Sequence, residues 1–147
     1  MAVIIEPYVG INLDGKIINF NMSQKEIRKI TGENAPKIEI DNIMEEIREY
    51  RWGMVFRYIN KKLVDIDFSL NVELVINGIE IFTEKNLIEK LKEYDIPTEE
   101  SKGGYMNFYK LGISIGGFGK RRIPEKRLVC AFCEERREFY ETILKIG

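Results

Sequence analysis

Apolar and polar residues alternate along most of this chain with the period of a strand, and only short stretches carry the spacing of a helix. Val3–Ile5, Val9–Leu13 and Lys16–Phe20 read as short strands, the last two joined by the turn pair Asp14-Gly15. Ser23-Gln24-Lys25-Glu26 has the form of a capping box, in which hydroxyl and carboxylate satisfy each other's backbone N–H. Ile27 and Ile30 then supply an apolar stripe, and Gly32 stands where a helix ends. Ile43, Met44 and Ile47, spaced among Glu45, Glu46 and Glu49, predict a second short helix.

From Trp52 the period becomes two. Trp52, Met54, Phe56 and Tyr58 share one face of a strand and Val55, Arg57 and Ile59 the other. Asn60-Lys61-Lys62 turns the chain into a strand where Val64, Ile66, Phe68 and Leu70 alternate with Asp65, Asp67 and Ser69. Val72–Ile76 and Ile79–Phe82 flank Asn77-Gly78, a type I′ hairpin signal, and Thr83 is placed to cap a helix through Leu87, Ile88 and Leu91 that ends near Tyr94. Residues 97–104 read as an exposed loop. Tyr105–Ile115 and Arg127–Phe132 are further strands about a glycine-rich segment at 116–122, and Phe139, Tyr140, Ile143 and Leu144 mark a C-terminal helix. Strands in hairpin order with helices between groups predict an α+β fold: a mostly antiparallel sheet of five or more strands with short helices packed on one face. Turn, strand and short helix recur at 14–31 and 77–94, a repeat at the level of pattern.

Nothing in the composition divides the 147 residues, which fit a single globular domain, 1–147. The formal net charge of −1 conceals a polarity: residues 1–100 carry 19 acidic against 13 basic side chains, residues 101–147 carry 5 against 10. The N-terminal apolar run lacks a basic flank and is too short for a secretory signal, and no apolar stretch reaches the length of a membrane span. Two cysteines without an export signal suit a reducing cytoplasm.

The most selective count is that of histidine, which is zero. Histidine is the usual general base and metal ligand near neutral pH, so Ser-His-Asp and Cys-His hydrolases and ordinary catalytic zinc sites fall away. Carboxylate and lysine chemistry survive that test, but the expectation is a binding protein rather than an enzyme, without cofactor or metal.

The segment Gly10–Gly32, with its strand ending Phe-Asn-Met-Ser and the helix Glu-Ile-Arg-Lys-Ile-Thr-Gly, resembles a recurrent opening of small bacterial proteins. Asn77–Phe82 and Gly103–Ile113 are similar to later parts of the same pattern. The whole resembles the immunity proteins of bacterial polymorphic-toxin systems, including contact-dependent growth inhibition. That resemblance covers most of the chain through motifs that are folding signatures. It implies a cytoplasmic protein that binds and neutralises one cognate toxin domain, and it transfers no functional residues.

Several groups are candidates for a contact surface. Asp65 and Asp67 lie on one strand face, and Glu73 and Glu80 are expected to extend it as an acidic row facing a basic nuclease or similar toxin. The competing reading is a solvated face with Arg57 or Lys61 pairing across strands. Glu99 and Glu100 in the 97–104 loop, and Arg121 and Arg122 in the 116–122 loop, complete the partner-binding set. The basic run Lys120-Arg121-Arg122, with Lys126, Arg127 and nearby aromatics, supports an alternative: a small nucleic-acid-binding module using the basic C-terminal third. Cys130-Ala-Phe-Cys133 has C-x-x-C spacing but reads better as two buried small hydrophobes. The Gly112–Lys120 run fails the phosphate-loop pattern at Ser114 and Arg121.

Overall fold

A computed structural model describes residues 2–32, 37–43 and 45–146, with side chains up to residue 142. The expected mostly antiparallel α+β architecture forms, distributed over two sheets. The first has β1 (Ala2–Glu6), β2 (Gly10–Leu13), β3 (Lys16–Asn19), β8 (Glu73–Ile76) and β9 (Ile79–Glu80), in the order β3-β2-β1-β8-β9; only β1 and β8 run parallel. The second has β4 (Lys37–Asp41), β5 (Glu46–Arg51), β6 (Met54–Ile59), β7 (Lys62–Ser69), β10 (Tyr105–Phe108), β11 (Ile113–Gly116) and β12 (Leu128–Phe132). Its order is β10-β11-β12-β7-β6-β5-β4, antiparallel throughout. The helices are α1 (Gln24–Thr31), α2 (Leu87–Leu91) and α3 (Arg137–Ile146), the last preceded by a 3-10 turn at Glu134–Arg136.

The inward side chains of both sheets meet in one hydrophobic cluster. Val3, Ile11, Leu13, Ile18 and Leu74 come from the first sheet, and Phe56, Ile66, Phe68, Ile113 and Val129 from the second. Ile27 of α1 and Leu87 and Leu91 of α2 join it. At the β5 end this inner face turns polar: Glu49, fully buried, accepts from the Tyr58 hydroxyl at 2.9 Å and pairs with Arg28 at 3.3 Å.

The local signals that act within a few residues hold. Ser23 accepts from the Glu26 N–H and Glu26 accepts from the Ser23 N–H, at 3.1 and 3.2 Å, so both halves of the capping box form. Such a cap contributes about 1 kcal/mol to an eight-residue helix that is marginal alone. Asn77 and Gly78 both take positive φ, 49° and 79°, as a type I′ turn demands.

Other expectations are corrected where tertiary pairing overrides them. The segment expected as a helix around Ile43 and Ile47 is strand β5, laddered between β4 and β6; Ile43 is 93% exposed, and Met44 lies outside the described residues. Trp52 belongs to no strand face, because Trp52-Gly53 form a turn at φ 50° and 77°. Thr83 does not cap α2; its hydroxyl donates to Glu80 at 3.0 Å and the helix begins four residues later, at Leu87. β4, an edge strand, was not among the expected elements. Ile143 and Leu144 fall within α3, but their side chains lie outside the described residues.

The strict alternation expected for β7 is broken by a bulge. Arg57 pairs with Asp65 but Tyr58 with Leu63, leaving Val64 unmatched. Leu63, Ile66 and Phe68 therefore all reach the core, while Asp65 and Asp67 point to the opposite, outer face. Leu70, expected to end the apolar row, lies beyond the strand and is 38% exposed.

Candidate functional site

The outer face of the seven-stranded sheet is assembled by register. Across β6, β7 and β12 the pairs Arg57–Asp65, Val55–Asp67, Cys130–Asp67 and Phe132–Asp65 set one row of side chains side by side. Ser114 stands opposite Cys130, and Asn107 opposite Ser114. Toward the other edge, Arg48 stands opposite Arg57 and Glu39 opposite Arg48. On β6, β7, β11 and β12 each position is the alternate residue of a strand whose other side chains fill the core, whereas on β4 the alternate residues Ile38 and Ile40 are exposed.

Arg57 is the hub of this face. Its Nε donates to Glu46 at 2.9 Å, one terminal nitrogen to Asp65, and the other to Asp67 at 3.0 Å. Burial works against its charge, but the carboxylates of Asp65 and Asp67 outweigh burial and raise its pKa, so it stays a cation. Asp65 is completely buried. Burial raises its pKa and Asp67 adds to this, while Arg57 and Arg136 oppose the shift without cancelling it.

The chain returns to this row after β12. The 3-10 turn brings the Arg136 Nε to Asp65 at 3.1 Å, and one helical turn later the Tyr140 hydroxyl donates to the same oxygen at 3.0 Å. The Tyr140 ring stacks on Phe132 at 4.4 Å, its hydroxyl lies 2.5 Å from the Cys130 sulfur, and its carbonyl accepts from the Asn107 side-chain amide at 3.3 Å. Arg136 itself lies over the Phe139 ring at 3.5 Å. Helix α3 is thus fastened across part of the outer face, and beside it opens a cavity of about 530 Å³, a size typical of ligand pockets. Tyr105, Leu128 and Phe139 give the cavity apolar walls; Arg48, Glu46 and Asp67 give it charge; Ser114 and Asn107 supply neutral polar groups. Tyr105 lies against Gly116 across the β10–β11 pair so closely that a methyl on Gly116 would collide with the ring.

Burial, then Asp67 and Asp65, push the Cys130 thiol well up, so at neutral pH it is not the thiolate a nucleophile requires. Burial and the neighbouring Cys130 and Asp65 do the same to the Tyr140 hydroxyl. Cys133 faces the core while Cys130 faces outward, and both are free, as expected of two buried small residues. Burial lifts the Cys133 thiol to about 11. Asp65, Asp67 and Cys130 bring three possible ligand atoms within 4.8 Å of one another. The two carboxylates already bind guanidinium groups, however, and a metal would have to displace Arg57.

Of the eight residues marked in the sequence, only Asp65 and Asp67 lie in this site. The expected continuation of their face by Glu73 and Glu80 does not form, because β8 and β9 belong to the other sheet; both glutamates are exposed there. Glu99 is exposed on its loop. Glu100 is a structural clasp: its carboxylate accepts from the backbone N–H groups of Lys120 and Arg121 at 3.1 and 3.2 Å. The Arg121 guanidinium reaches the Lys102 carbonyl at 3.5 Å, and Arg122 is exposed. The loops at 97–104 and 116–122 are therefore tied together. Sequence reading missed Glu46, Arg48, Arg136 and Tyr140. The signal for the last two is their i, i+4 spacing, which places both on one helix face.

Among the described residues no helix is long and apolar enough to cross a membrane. No protein-family model, curated protein or solved structure matches this chain.

Proposed function

We propose that this protein is an immunity-type binding protein that neutralises a cognate toxin domain in the bacterial cytoplasm by stoichiometric contact, and that the outer face of the seven-stranded sheet is its recognition surface. The observation that carries the reading is the preorganised ion network around Arg57, held rigid by sheet register and by α3 and opening onto a cavity. Charged groups fixed before binding lose little conformational freedom on association, and their pattern selects among partners. The protonated state of Cys130 and Tyr140 supports binding rather than catalysis. The resemblance of Gly10–Gly32, Asn77–Phe82 and Gly103–Ile113 to immunity proteins points the same way.

The test is co-expression with the polypeptide encoded immediately upstream, scored by co-purification and by rescue of growth. A stable complex with rescue, lost on filling the cavity with Ser114→Leu, is the expected result; the absence of both complex and rescue sinks the proposal. A second reading, nucleic-acid binding, has its own observation: Lys120, Arg121, Arg122 and Lys126 are all exposed along one stretch. Against it, three of the aromatics are engaged: Phe118 packs on Phe82 and under Arg127, Phe108 is in the core, and Tyr109 lies under Arg137. Salt-sensitive binding of single-stranded oligonucleotides that weakens in Arg121→Ala/Arg122→Ala would favour it.

A further inference from the structure

We infer that the outer-face cavity receives a cationic group on an apolar stem, an arginine or lysine side chain, which on the reading above comes from the partner protein. The charges that surround the cavity are largely engaged with one another. Each guanidinium there already faces at least two carboxylates: Arg57 meets Glu46, Asp65 and Asp67; Arg136 meets Asp65 and Glu46; Arg48 meets Glu39 and Glu46. The Arg48 Nε has no hydrogen-bond partner but is itself buried; for the other donors an incoming anion would compete with these carboxylates and be repelled by them at short range.

Acceptors are in the opposite position. A carboxylate offers about four lone-pair sites. Asp67, at the cavity and 18% exposed, meets Arg57 through Oδ2, which leaves it capacity to accept from a second donor. Ser114 and Asn107 add oxygens alongside it. A ligand rich in N–H donors and carrying positive charge completes this set; one that brings more acceptors does not.

The walls specify the rest of the ligand. Tyr105, Phe139 and Leu128 offer apolar and aromatic surface next to the acceptors. Aromatic faces attract cations, as Arg136 over Phe139 already demonstrates at 3.5 Å. An arginine or lysine side chain joins an apolar stem to a multi-donor cationic head, so the stem packs on the walls while the head reaches Asp67.

The test titrates the full ¹⁵N-labelled chain with N-acetyl-arginine amide and with its neutral counterpart N-acetyl-citrulline amide, reading backbone amide shifts. Saturable shifts at Asn107, Ser114 and Cys130 are expected, with affinity for arginine higher by about tenfold, the worth of one hydrogen bond to a charged group. Asp67→Asn should remove that preference. Ser114→Leu, outside the ion network, should abolish binding while the spectrum stays folded, and Glu73→Gln on the other sheet should change nothing. Absent shifts, equal affinity for citrulline, or stronger perturbation of the same amides by N-acetyl-glutamate amide each overturn the inference. Agmatine and a Gly-Arg-Gly amide peptide separate the sources: tighter peptide binding assigns the cation to a protein partner, tighter agmatine binding to a free amine, and either keeps the site. Cation binding without growth protection removes toxin neutralisation and leaves the site. Protection that persists in Ser114→Leu does the reverse.

Discussion

The two faces of the seven-stranded sheet are built from alternate residues of the same strands, yet they are held by different forces. On the inner face Phe56, Ile66, Phe68, Ile113 and Val129 pack against the five-stranded sheet, and stability there follows the apolar area removed from water. On the outer face Asp65 is fully buried and Arg57, Asp67, Glu46 and Arg136 are mostly so, and each meets an opposite charge. Such a network adds little net stability over a well-packed apolar patch of the same shape, but removing one member strands the others. The contrast explains a division of labour: the inner face holds the fold, while the outer face spends its order on presenting charge at a cavity.

Substitutions on each face break this comparison in different ways. Phe68→Ala should be the most damaging, losing about 4 kcal/mol through the cavity it leaves, measured by urea denaturation. Arg57→Leu should cost about 3 kcal/mol, because it takes a shared cation from Glu46 and the buried Asp65, which keep Arg136, and removes the ion pair of Asp67. The sharper form is the double variant: adding Asp65→Leu to Arg57→Leu should recover about 1 kcal/mol or more, whereas no second truncation on the inner face rescues Phe68→Ala. If Arg57→Leu alone is neutral, the outer face is not held by pairing.

A pH scan is the next most sensitive probe. Burial raises the Tyr8 hydroxyl from 10.0 to about 12 and the Cys133 thiol from 9.0 to about 11, and lifts Cys130, Tyr58 and Tyr140 upward as well. The folded state therefore keeps protons that the unfolded chain releases. Their contribution is complete below pH 9, the lower unfolded value, and is lost as pH rises through the folded values. Denaturation midpoints should fall steadily between pH 9 and 12; a flat profile over that window would contradict the burial of these groups.

The smallest effect belongs to the loops. Glu100→Gln weakens two charge-assisted hydrogen bonds at a partly exposed site and should cost about 1 kcal/mol or less. Hydrogen exchange should report it as faster exchange at the Lys120 and Arg121 amides, with the sheets unaffected.

What the chain determines by itself is local. The capping box at Ser23 and Glu26, the turns at Asp14-Gly15 and Asn77-Gly78, and the outward direction of Asp65 and Asp67 follow from interactions within a few residues or from the two-residue period of a strand. Those signals sufficed for the α+β class and for two members of the site. The tertiary structure decided what depends on neighbours distant in sequence: that Glu46–Arg51 is a strand, that Glu73 and Glu80 stand in another sheet, and that Val64 bulges so both Leu63 and Ile66 reach the core. It also decided that Arg136 and Tyr140, 71 and 75 residues after Asp65, close over it. A carboxylate in a strand reads the same from sequence whether it meets water or a guanidinium, because burial and pairing are set by which strand and which helix the fold brings beside it.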